Sequence, residues 1–185
     1  MIRFSNVNRV NSQDHNPNYQ RHHLIPQQAI SELKLNETFQ TLADNGFDLD
    51  DFHQNGILLP CREKEAIRSG RPLHRGPHPR YNELVIERLV RIWKLSRNIE
   101  NDHNRLNFLR FRTILLQRSL RVGLAGNRFV RLHLNSRDPL RSTANFSDID
   151  SRIDRLYRKT KSTVSRRANF LLKSGVCSNV YLAEI

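Results

Sequence analysis

Four of the eight histidines in this 185-residue chain fall in two short stretches. Imidazole is the side chain that serves either as a metal ligand or as a base near pH 7. The first stretch is Arg21-His22-His23-Leu24-Ile25-Pro26. The second is Leu73-His74-Arg75-Gly76-Pro77-His78-Pro79-Arg80-Tyr81-Asn82, and Asn55-Gly56-Ile57-Leu58-Leu59-Pro60 lies between them. A histidine base and one divalent cation would together meet the needs of phosphodiester hydrolysis. The base takes a proton from water, and the cation neutralises the phosphate oxygens and supports the leaving alkoxide. Nitrogen and amide-oxygen ligands suit zinc, nickel, manganese or magnesium to different degrees, so the metal stays open.

Spacing constrains how these rings can meet. Adjacent strand residues point to opposite sides, so His22 and His23 aim at one point only if the backbone bends, and Pro26 with its loop allows a bend. A doublet alone is no more than chance on a basic surface. His78 and Asn82 are four apart, which puts both on one face of a helix that starts at Pro79. His74 and His78 are also four apart, but Gly76 and Pro77 between them argue against a continuous helix.

The elements that must position these groups follow from periodicity. Residues 1–20 are polar and read as a loosely ordered lead-in, a junction to a larger protein. Arg21–Ile25 reads as a short strand and Gln27–Asn45 as a helix with Ile30, Leu33, Phe39 and Leu42 on its stripe and Gly46 as its stop. Asp48, Asp50 and Asp51 lack the spacing of a calcium loop and read as a turn or helix start. Ile57–Leu59 reads as a buried strand, and Cys61–Gly70 has room for one helical turn. Strong helices are expected from Pro79 to about Arg97 and from His103 to Arg121. Phe129–Leu134 reads as a weak strand and Ser136–Asn145 as a linker. A basic helix begins at the Ser147-Asp148-Ile149-Asp150 capping box and runs towards Gly175.

Charge points to the partner. Residues 1–60 carry four Lys/Arg against seven Asp/Glu, net −3, and residues 61–185 carry 27 against 11, net +16. Of the 31 basic residues, 25 are Arg, the better bidentate partner for phosphate. A field this positive favours a polyanion, and nucleic acid first among them. Aromatics are 8% and do not interleave with the basic runs, so contacts to backbone phosphates are expected and base stacking is not. No apolar run reaches the ~18 residues of a membrane span, and the first twenty residues lack a signal region, so no membrane anchor is expected. Cys61 and Cys177 form no Cys-x-x-Cys pair, which argues against a thiolate zinc site. Two competing readings are a non-catalytic nucleic-acid-binding module and a basic helix on a membrane surface. The second lacks the Trp/Phe expected on its apolar side.

The three stretches, in this order, resemble the AHH family of nucleases in the HNH/endonuclease VII superfamily. The family's alanine before the doublet is Arg21 here. The resemblance implies an α+β, mostly helical chain. Its small ββα-metal core would be wrapped by helices, with a basic helical C-terminal extension. The resemblance covers about residues 20–95; with the composition shifts above, the chain divides into lead-in 1–20, nuclease domain 21–135 and extension 136–185. The resemblance implies one divalent metal ion held by His22 and His78, with Asn82 or His74 completing the set. It implies His23 as general base, Asn55 steadying that base, and His74, when not a ligand, acting on the phosphate or leaving group. Arg75 and Arg80 flank the site and could clamp phosphate oxygens. The resemblance further implies a delivered toxin or effector acting on DNA ahead of RNA in a target cell's cytoplasm, restrained by an acidic immunity protein.

Overall fold

In the computed structural model the chain is α+β and mostly helical, with one small antiparallel sheet. The structure describes residues 1–126 and 132–140, and beyond these only positions 154, 155 and 158. Strand β1, Tyr19–His23, pairs with β2, Gly56–Pro60. The register runs from Tyr19 opposite Pro60 to His23 opposite Gly56. The expected strand was Arg21–Ile25, so it lies two residues earlier than expected. The reason is burial. Leu24 and Ile25 are both fully enclosed, which period-2 alternation cannot achieve, so the chain leaves the sheet at His23.

The expected helix over 27–45 is two helices, α1 (Gln28–Ser31) and α2 (Leu33–Asp44), broken at Glu32, whose ψ of 117° is extended. The break resets the stripe, so Ala29 is buried and Ile30 is exposed. The acidic loop ends in α3, Phe52–Asn55, and the Asp51 carboxylate caps it by accepting from the His53 N–H. Helix α4 (Glu63–Ser69) is longer than the single turn expected. Glu63 and Glu65 in its first turn and Arg68 in its last suit the helix dipole.

Helix α5, Pro79–Ser96, begins on its proline as the sequence predicts and buries Tyr81, Val85, Leu89 and Ile92. Helix α6, Asp102–Leu124, is capped by the Asn101 side chain and buries residues on more than one face, among them Leu109, Leu116, Gln117 and Leu120. It is the central helix. Helices α2, α5 and α6 pack on one another and share a core with Leu24, Ile25, Ile57 and Leu59.

Of the expected strand 129–134, residues 129–131 lie outside the described residues. Residues 132–134 run as irregular chain, with the Leu132 N–H donating to Gly123 O at 3.0 Å. Leu132 and Leu134 join the main core, and Asp138 is buried. The capping box at 147 and most of the basic helix after it lie outside the described residues. At position 154 the aspartate pairs with Arg88 of α5. No helix among the described residues is long and apolar enough to cross a membrane.

Candidate metal centre

The site begins with strand alternation. In β1 successive side chains leave the strand on opposite sides, and His22 is its one buried residue. Its ring turns towards the end of α5, 5.0 Å edge-on from Tyr81. Tyr81 is itself fixed, its hydroxyl donating to Leu24 O at 2.8 Å. His74 arrives by another route. Its N–H donates to Pro60 O at 2.7 Å, so the chain before the loop continues the line of β2's end. His78 is the residue before Pro79 and occupies the N-cap position of α5.

Between His74 and His78 the chain turns through Gly76 at φ +81°. That left-handed backbone favours glycine and lets the loop fold both rings inward without a helical turn. The ring centroids of His74 and His78 are 4.7 Å apart, and His22 lies 5.0 Å from His74 and 5.6 Å from His78. One nitrogen from each ring lies within 4.8 Å of the other two.

The protonation chemistry suits a cation. Burial holds the His22 imidazole well below its usual range, and the neighbouring His74 and His78 push the same way. Burial brings His74 down to about 4, with His78 adding to the effect and its own backbone opposing it. Burial also lowers His78, while the Leu134 backbone biases it upward. At neutral pH all three rings are therefore neutral and carry a lone pair. The Nε2 of His22 and both ring nitrogens of His78 are buried and make no hydrogen bond. A buried polar atom without a partner costs free energy. Two such rings converging with the neutral ring of His74 fit a divalent ion, which would satisfy them together. His74 is oriented by Gln20, whose Oε1 lies 2.9 Å from Nδ1. With Nδ1 donating to that oxygen, Nε2 is left as the ligating atom.

His23 sits on the other side of the strand, outside the cluster. Its ring stacks face to face on Phe4, centroids 3.6 Å apart and planes 5° from parallel. Burial lowers its pKa, Asp50 raises it and Arg21 lowers it again. Phe4 belongs to a 3-10 turn, Phe4–Asn6, pinned by its N–H to Asp50 O at 3.1 Å and by Arg21 donating to its carbonyl at 2.6 Å. Part of the polar lead-in is thus a wall of the site. Nothing in the polar lead-in's composition marks Phe4, although an isolated aromatic in a polar run is the one signal present.

Asn55 is the last residue of α3, directly before β2, and is fully buried. Its Oδ1 accepts from the Ile25 N–H at 2.8 Å and from Gln117 at 3.2 Å, and its Nδ2 donates to Ile25 O and Leu49 O at 3.0 Å each. It holds the backbone that follows the doublet rather than the His23 ring. Asn82 lies one turn into α5, its amide donating to Gln28 at 3.3 Å. Arg75 is exposed beside an open cleft that Gln20, Cys61, Arg62 and His74 also line. Arg80 is exposed at the start of α5.

Arg121 is occupied elsewhere. It donates to Gly56 O and His53 O at 2.6 Å each, closing the C-terminal end of α3. His133 pairs with buried Asp138 at 3.0 Å.

The sequence was compared with known proteins. Among curated proteins and among solved structures nothing matches the chain. A family model matches residues 3–110. Its description is a nuclease family of the HNH/ENDO VII superfamily with conserved AHH.

Proposed function

Because the chain belongs to the AHH family of nucleases, we propose that it is a metal-dependent endonuclease that cleaves DNA with little sequence preference. The observation that carries the reading is the convergence of His22, His74 and His78, with buried, unpartnered nitrogens on His22 and His78, beside a fourth histidine, His23, that lies outside the cluster. These three would hold one divalent ion, and Asn82 one turn along α5 is the reserve ligand. A bound ion supplies charge neutralisation for the scissile phosphate and its leaving oxygen.

The chain's own residues supply the rest. His23 is neutral at pH 7 because burial lowers its pKa, so its ring is ready to accept a proton from the attacking water. Phe4 fixes the plane of that ring, and Asn55 fixes the backbone that carries it. Arg75, on the cleft beside His74, and Arg80, at the start of α5, would bind phosphate oxygens of the strand. The net charge of +13 supports a polyanionic substrate bound through its backbone. A nuclease of this kind is a hazard to the cell that makes it. We read it as a toxin or effector delivered into a target cytoplasm and neutralised by an acidic immunity protein.

The test is plasmid cleavage with Mg, Mn, Zn or Ni, with EDTA and His23→Ala as controls and a structured RNA as a second substrate. Cleavage that needs the metal and collapses in His23→Ala supports the reading. Undiminished cleavage by His23→Ala, or binding of plasmid without any cleavage, overturns it.

A further inference from the structure

The metal-bearing loop 73–78 is held in place by a segment that the family match, ending at residue 110, does not include. After α6 the chain turns back through Gly126, at φ +86°, where a Cβ would lie 2.8 Å from Gly70 O. It then runs through Leu132 and Leu134, both buried in the main core, and arrives beneath the loop. There the Asn135 Nδ2 donates to Leu73 O at 2.8 Å and to Arg75 O at 3.4 Å, the two carbonyls on either side of His74. Its Oδ1 accepts from the Arg137 N–H at 2.9 Å, which closes a turn. This stretch therefore holds the backbone on both sides of His74, and it is anchored by apolar burial rather than by the loop itself.

We propose that Asn135 is a positioning residue for metal binding, setting His74 through the carbonyls that flank it, so that the nuclease site is complete only with the chain beyond the family-matched region. The inference rests on the reading of His22, His74 and His78 as ligands. A loop with a proline and a left-handed glycine has few hydrogen bonds of its own, and two external hydrogen bonds to its backbone restrict where the His74 ring can go. Ligands held by an outer hydrogen-bond partner lose about 10- to 100-fold in metal affinity when that partner is removed. An indirect hold through backbone should fall at the lower end.

The experiment uses the full chain and Co(II) as the probe. Cobalt affinity and its visible absorption spectrum are measured for wild type, Asn135→Ser, Asn135→Ala and His22→Ala. Serine keeps an acceptor for the Arg137 N–H but cannot reach Leu73 O, so it separates the clamp from the turn. Leu42→Ala on α2 serves as a control that loses stability in the core without touching the loop. We expect Asn135→Ser and Asn135→Ala to bind Co(II) about tenfold more weakly with an altered spectrum, and Leu42→Ala to match wild type. Wild-type affinity and spectrum in whichever Asn135 variant remains folded overturn the inference while leaving the metal reading intact. Undiminished Co(II) binding by His22→Ala overturns the metal reading and the inference with it.

Discussion

His22 and His23 are consecutive residues of one strand, and the sheet sends them into opposite surroundings. His22 meets two other imidazoles and a tyrosine in a dry space. His23 meets the Phe4 ring, face to face, and among the described residues stacks on no other ring. The difference teaches how a doublet divides labour. A ligand needs partners that share its ion, whereas a base needs a fixed plane and freedom from the ion. Under the proposed roles, strand alternation would provide both from adjacent codons, with no bend between the two residues.

Breaking one side should leave the other standing. The largest effect is expected for His22→Ala, which removes one of three converging rings. Metal affinity should fall by more than the roughly 100-fold expected for loss of an outer hydrogen-bond partner, and cleavage should go with it. Isothermal titration with the activating metal, alongside a plasmid assay, checks both. Next comes His23→Ala, for which cleavage should drop about 10²- to 10⁴-fold with metal affinity unchanged. Parallel loss of metal binding in that variant would erase the distinction between the two sides.

Acid should act on the His22 side more than on the other. In the presence of EDTA, burial keeps His22, His74 and His78 neutral in the folded chain, while in the unfolded chain they titrate near 6.5. The unfolded state then binds more protons between pH 6.5 and about 4, the value for His74. Stability is therefore full above that window and falls as the pH drops through it. Thermal midpoints across pH 4–8 in wild type and His22→Ala measure it, and the acid-side slope should shrink in the variant.

Phe4→Leu sharpens the His23 side. Leucine keeps most of the buried volume and removes the stacked ring, so folding should cost about 1 kcal/mol while kcat falls several-fold with metal affinity intact. The smallest effect is expected at Arg75→Gln. Binding to DNA should weaken modestly and evenly across sequences, and the slope of log affinity against log salt should drop by about one.

The sequence makes the ligand helix legible because Pro79 states where it starts and Tyr81, Val85, Leu89 and Ile92 state which face is buried. The histidine segments are legible because imidazoles in two short clusters are uncommon and share chemistry. Three things were not. The Gln20 partner of His74 and the Phe4 partner of His23 lie at separations that only the folded strand pair brings to zero. The break at Glu32 changes the phase of a stripe that looks continuous, since both pieces are helical and neither glycine nor proline marks the junction. The Asn135 side chain bonds only main-chain groups, which any residue supplies, so no side-chain pairing in the sequence betrays it. The arginines of α6 show the limit of charge counting, because Arg121 is spent on α3 rather than on a substrate.

Asn55 ties Ile25, Leu49 and Gln117 together through one amide. Those partners belong to the exit of β1, the loop before α3 and the middle of α6, so none of these pieces can loosen without stranding polar atoms in a dry interior. Amide hydrogen exchange at Ile25 should accordingly occur only when the entire molecule opens. A polypeptide built this way holds its reactive end as one cooperative unit with its central helix, and passage through any narrow channel would demand that the whole be unravelled and then rebuilt on the far side.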